Sequence, residues 1–208
     1  MPETVDAAKL LRAGVLDGLG VLIAGGGSDA GEDVADGAGA DSRDDGRDSC
    51  QSFAALAGAA CAALGARVTK LSADIDTERE LAAPDGVDVL IVDAASLFDA
   101  GGRAGLRACL DGAWEASHNV ANAAFIQVQR PGRIVYVAPP CSRAAAVEDG
   151  LADAARAGLE NLARTLSIEW ARYAITTATI APGVSTPGEQ VAALCAYLAS
   201  PAGAYFSG

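Results

Sequence analysis

Gly25-Gly26-Gly27-Ser28-Asp29-Ala30-Gly31 is where residue types and spacing suit a phosphate. The stretch follows Gly20-Val21-Leu22-Ile23-Ala24, an apolar run with the length of a buried strand. Glycines after such a strand let backbone N–H groups reach a pyrophosphate at the start of the next helix. Gly25, Gly27, Ser28 and Gly31 are therefore candidate contacts for a dinucleotide, NAD or NADP. Asp29 works against them. A carboxylate roughly 4 Å from a phosphate charge, at an effective dielectric of about 20, costs on the order of 4 kcal/mol. The alternative is that Gly25 to Gly31 is a tight turn holding no ligand, so binding is expected to be weak or absent.

Other reactive side chains do not assemble into a set. Residues 32–50 form an acidic insertion, with Asp33, Asp36, Asp41, Asp44, Asp45 and Asp48 among Gly, Ala, Ser and Arg. Such a composition buries too little apolar surface to fold and reads as a flexible, solvated loop. It lacks the Asp-x-Asp-x-Asp-Gly spacing of a calcium loop. The five cysteines (Cys50, Cys61, Cys109, Cys141, Cys195) are scattered, with no Cys-x-x-Cys pair. They read as reduced thiols of a cytoplasmic protein. His118 is the lone histidine and makes no metal site by itself. No metal site is expected.

The elements that would position these residues alternate between strand and helix. After Gly20–Ala24 come an Ala-rich helix over Phe53–Leu64, a strand over Arg67–Leu71 and a short helix over Thr77–Ala83. Val87–Val92 reads as the central strand, and Arg103 to about Gln127 as a helix. On that helix Leu106, Leu110, Trp114, Ser117, Ala121 and Ala124 recur at three- and four-residue steps. Strand Arg133–Val137, helix Glu148–Arg172, strand Ile175–Ile180 and helix Gln190–Ala199 complete the series. Alternation of this kind requires crossovers, and so predicts an α/β fold. The expected architecture is a doubly wound parallel sheet of about five or six strands with helices on both faces.

At 208 residues, with 51% hydrophobic and only 5% aromatic content, one domain with a core of small aliphatic side chains is expected. A net charge of −12 argues against nucleic acid and against an anionic membrane surface. No apolar run is long enough to span a bilayer, and Met1 to Arg12 lacks a signal-peptide core.

The stretch from Gly132 to Gly183 resembles the short-chain dehydrogenase/reductase family. It reads Gly132-Arg133-Ile134-Val135-Tyr136-Val137-Ala138-Pro139-Pro140, then Ala152-Asp153-Ala154-Ala155-Arg156, and ends in Ile180-Ala181-Pro182-Gly183. It resembles a degenerate relative of 3-oxoacyl-ACP reductase-like members. The resemblance implies a Rossmann-like sheet in the order 2-1-4-5-6 in family terms. It also implies NAD(P) contacts at Asp93, Arg156, Pro182 and Gly183. The family's reacting serine, tyrosine and lysine, however, fall on Pro139, Ala152 and Arg156. Pro139 and Ala152 keep the family's usual spacing, so a slip of register is not the cause. The family's Asn-Asn-Ala-Gly falls on Val92-Asp93-Ala94-Ala95, and its substrate-covering segment shrinks to Val184–Glu189. Members of the family continue from a Ser-Gly like Ser207-Gly208 into a last strand, so either the Ile175–Ile180 strand is an unpaired edge or the chain is a fragment.

No catalytic residue is therefore assigned. The preferred expectation is a catalytically degenerate relative, a scaffold that forms a homodimer or a hetero-oligomer with an active relative. The alternatives are an NAD(P)-dependent oxidoreductase acting on a carbonyl or alcohol through substitute groups, and a non-catalytic dinucleotide sensor.

Overall fold

The computed structural model describes residues 10–25, 52–71, 86–98, 101–141 and 149–208. Gly27, Ser28, Gly31, the acidic insertion at 32–50 and the helix expected over Thr77–Ala83 lie outside the described residues.

Five strands build one sheet: β1 Gly20–Ala24, β2 Arg67–Lys70, β3 Val89–Asp93, β4 Gly132–Val137 and β5 Ile175–Ile180. All pair in parallel, in the order β2-β1-β3-β4-β5. This is the expected order, with no strand beyond β2 among the described residues. β5 forms the far edge, and Gly208 N donates to Thr177 O there at 2.8 Å.

Strand alternation sorts the apolar residues into two cores. Leu22, Leu90, Val92, Ile134 and Tyr136 face α3 (Gly102–Val120) and α4 (Asp149–Glu169). Val21, Ile23, Val89, Ile91, Val135 and Val137 face α1 (Phe53–Ala63) and α5 (Gly188–Ala199). Both faces of β1, β3 and β4 are covered, which is why these strands carry unbroken apolar runs. β5 replaces part of its apolar face with hydroxyls. Thr177 Oγ1 donates to Ala163 O, and Thr179 Oγ1 donates to Leu159 O at 3.2 Å, both on α4.

The buried stripe keeps Ser117, Ala121 and Ala124 of the expected one but differs before them. Gly105, Cys109, Ala113, Ala116, Ser117 and Val120 face inward, whereas Trp114 is 44% exposed and Leu106 and Leu110 are only partly buried. Small side chains bring α3 close to the sheet, and the larger ones turn aside. Leu110 packs against α4 where Gly158 leaves room; a Cβ there would lie 2.8 Å from a Leu110 methyl. Past Val120 the helix widens into a π-turn, Ala121–Ile126, which drives Phe125 beneath Gly132. A Cβ at Gly132 would lie 2.4 Å from the Phe125 ring, so no larger residue fits.

A further short helix, α2 (Ala94–Leu97), leaves the end of β3 directly and is not foreseen in the sequence. No helix among the described residues is long and apolar enough to cross a membrane.

Candidate functional site

In an open parallel sheet the ligand crevice lies at the carboxyl ends of the strands, where successive helices pass to opposite faces. Here that point lies between β1 and β3, since α1 covers one face and α3 the other. Gly25 ends β1 there, with φ at +85°. A Cβ on Gly25 would sit 2.6 Å from Asp93 O, so both the conformation and the contact require glycine.

Asp93, at the tip of β3, is completely buried. Its Oδ2 accepts a 2.8 Å hydrogen bond from Ala54 N in the first turn of α1. Its Oδ1 accepts one of 3.1 Å from Ser96 N, capping α2, while Ser96 Oγ donates back to Asp93 O. Burial pushes this carboxyl above its ordinary range, and the backbone N–H groups of Ala54, Ser96 and Ala95 pull only part of the way back. Ser52 Oγ accepts from Ala55 N, so two of the first N–H groups of α1 are already occupied. Asp93 is turned inward, and the anion seated at the start of α1 is the protein's own.

The other cluster lies at the ends of β4 and β5. Arg156, on α4, reaches across so that Nη1 donates to Pro139 O and Pro182 O, each at 2.7 Å, and Nη2 donates to Ala181 O at 3.4 Å. Asp153 Oδ1 is 3.9 Å from Arg156 Nε. The guanidinium thus bridges the chain leaving β4 to the chain leaving β5. Gly183 N donates to Thr186 Oγ1, and Thr186 N donates to Gly183 O, closing a small turn just after Pro182.

The structure therefore unites Gly25 with Asp93, and Arg156 with Pro182 and Gly183. At the positions between, Pro139 and Ala152 carry no side-chain hydroxyl. Tyr136 is no substitute, because it is fully buried in the core between the sheet, α3 and α4. Its hydroxyl lies 2.7 Å from Ser117 Oγ, which itself donates to Ala113 O, and burial pushes the phenol up to about 12. Among the described residues no group of three His, Cys, Asp or Glu side chains is placed to hold a metal ion.

No protein-family model matches the sequence. No curated protein matches it either. Solved structures do. A citronellol catabolism dehydrogenase from Pseudomonas aeruginosa superposes with a TM-score of 0.62 at 20% identity, over 98% of this chain and 95% of its own. A short chain dehydrogenase from Mycobacterium smegmatis gives 0.64 at 20% identity, over 99% and 93%. The fold is that of the short-chain dehydrogenases/reductases. A Serratia marcescens short-chain dehydrogenase/reductase gives 0.61 at 16% identity, over 92% and 94%.

Within that short-chain dehydrogenase frame, Pro139 and Ala152 stand where the sequence resemblance puts the family's reacting serine and tyrosine. Proton transfer at a substrate oxygen needs a donor within hydrogen-bond reach. Neither Pro139 nor Ala152 has one, and Arg156 is spent on main-chain carbonyls. The role of Arg156 as a brace leaves no mark in the sequence, because its acceptors are all backbone atoms.

Proposed function

We propose that this chain is a catalytically degenerate member of the short-chain dehydrogenase/reductase family, acting as a scaffold in a homodimer or beside an active relative. The observation that carries this reading is the placement of Arg156. Its guanidinium joins Pro139 O to Pro182 O in place of any hydroxyl-bearing constellation. The inward-turned Asp93 supports it, since a buried carboxylate at the start of α1 opposes a second anion there. Pairing is supported by Trp114 and Ile168, left 44% and 75% exposed on α3 and α4.

Calorimetric titration with NAD(H) and NADP(H), together with turnover assays over aldehydes, ketones and alcohols, tests the proposal. Neither binding at millimolar cofactor nor turnover is expected. Saturable, protein-dependent hydride transfer would overturn it in favour of an NAD(P)-dependent oxidoreductase, a reading in keeping with the dehydrogenases from Pseudomonas aeruginosa and Mycobacterium smegmatis that share the fold. Tight binding without turnover would instead favour a dinucleotide sensor, a reading supported by Gly25, whose positive φ and close approach to Asp93 O require glycine where a cofactor turn begins. Sedimentation showing only monomer at micromolar concentration would remove the homodimer.

A further inference from the structure

At the opposite end of the sheet, a cleft of about 520 Å³ opens beneath the amino ends of β3, β4 and β5. Its volume falls within the roughly 300–1,000 Å³ of small-molecule sites. Its walls are mostly apolar, formed by Leu19, Ala171, Ile175 and Ala204, and two charged side chains, Asp88 and Arg133, also line it.

Both charges are half-buried, each with polar atoms still open to solvent. Asp88 Oδ2 accepts a 2.8 Å hydrogen bond from Gly20 N, which leaves Oδ1 without a partner among the described residues. Arg133 Nη1 donates to Ala199 O at 3.0 Å, which likewise leaves Nε and Nη2. No ion pair joins the two side chains, although Asp88 is near enough for its charge to act on Arg133. The cleft therefore presents a solvent-open donor fork and a solvent-open carboxylate oxygen, near each other but forming no ion pair. An isolated anion would meet repulsion from Asp88, and an isolated cation repulsion from Arg133. A molecule carrying both charges at short separation satisfies the two groups at once.

We propose that this cleft binds a small zwitterion of the α-amino-acid type, its carboxylate on Arg133, its ammonium on Asp88 and its apolar side chain against Leu19 and Ile175. The site lies away from the β1–β3 crevice and does not depend on whether a dinucleotide binds there.

The test is calorimetry on the unmodified protein with L-leucine and L-methionine, leucinamide (ammonium without carboxylate) and 4-methylpentanoate (carboxylate without ammonium). The amino acids are expected to bind, with each single-charge analogue about tenfold or more weaker, the loss of one charge-assisted contact. Arg133→Met and Asp88→Asn are each expected to weaken amino-acid binding by a similar factor. Because the analogue series uses the native protein, it decides the matter even if a variant fails to fold. Equal binding of 4-methylpentanoate or leucinamide would overturn the proposal. So would the absence of binding by either amino acid at about 10 mM, a concentration above the millimolar Kd that corresponds to about −4 kcal/mol.

Discussion

Asp93 Oδ2 accepts a 2.8 Å hydrogen bond from Ala54 N, so the tip of the middle strand caps the helix that follows its neighbour β1. One carboxylate thereby sets the spacing between β3, α1 and α2 at the point where a ligand would enter. Replacing it with Ala leaves the buried Ala54 N–H without this acceptor, which costs about 1–3 kcal/mol. Equilibrium urea unfolding of Asp93→Ala should show a loss of at least that order.

The same residue predicts a pH dependence of definite sign. Burial raises the Asp93 pKa in the folded protein, so the native state binds this proton more tightly than the unfolded chain. The associated stability is fully present below the unfolded carboxyl pKa and is lost as pH rises through the folded one. Wild type should therefore lose stability relative to Asp93→Asn as pH rises from strongly acidic toward neutral. A wild-type advantage that grows over that interval would mean that the N–H bonds, not burial, set the balance.

Arg156 braces two strand ends with charge-assisted hydrogen bonds to Pro139 O and Pro182 O. Arg156→Met should destabilise the protein by about 2–3 kcal/mol, with Arg156→Lys recovering part of the loss. Hydrogen exchange gives a local readout. The amides of Ala138 and Cys141, which donate to Ile180 O and Pro182 O, should exchange faster in the variant.

Tyr136 and Ser117 form a buried hydroxyl pair with unequal dependence on each other. Tyr136→Phe leaves Ser117 still bonded to Ala113 O and should cost about 1 kcal/mol. Ser117→Ala leaves the Tyr136 hydroxyl buried without a partner and should cost more, about 1–3 kcal/mol. Thermal or urea unfolding that ranks the two in reverse order would contradict this geometry.

Thiol labelling should divide the cysteines by burial. With Cys50 replaced by Ser, Cys141 should react first, because it is only half-buried. Cys61, Cys109 and Cys195 are fully buried, and desolvation pushes Cys61 up to about 12, Cys109 up to about 11 and Cys195 higher still. Their labelling should wait on unfolding.

The strand order and the two-layer cover follow from features visible in the sequence, since parallel strands buried on both faces need the apolar runs at Val21–Ala24 and Val89–Val92. β1 and β5 lie where the runs of β-formers place them. The first half of the stripe on α3 does not, because periodicity marks Leu106, Leu110 and Trp114 while close approach to the sheet selects Gly105, Cys109 and Ala113; Ser117, Ala121 and Ala124 are buried as periodicity places them. Size at a helix–sheet contact is a tertiary property, and no local pattern reports it. The site behaves similarly. The missing hydroxyls at Pro139 and Ala152 are plain in the sequence, but the partners of Asp93 and Arg156 are backbone atoms brought together only by the fold.

The sheet order also dictates a schedule for assembly. β1 is the first described strand in the chain, yet it pairs with β2 at residues 67–70 and with β3 at residues 89–93. A chain leaving the ribosome keeps Val21, Leu22 and Ile23 unpaired until Arg67–Lys70 has emerged, and one edge of β1 open until Val89–Asp93 follows. β4, α4 and β5, by contrast, are consecutive and pack on one another, so they can form as a single late unit. Closure of such distant pairings is slow compared with local helix formation. The exposed apolar run of β1 is thus the segment most in need of protection during synthesis.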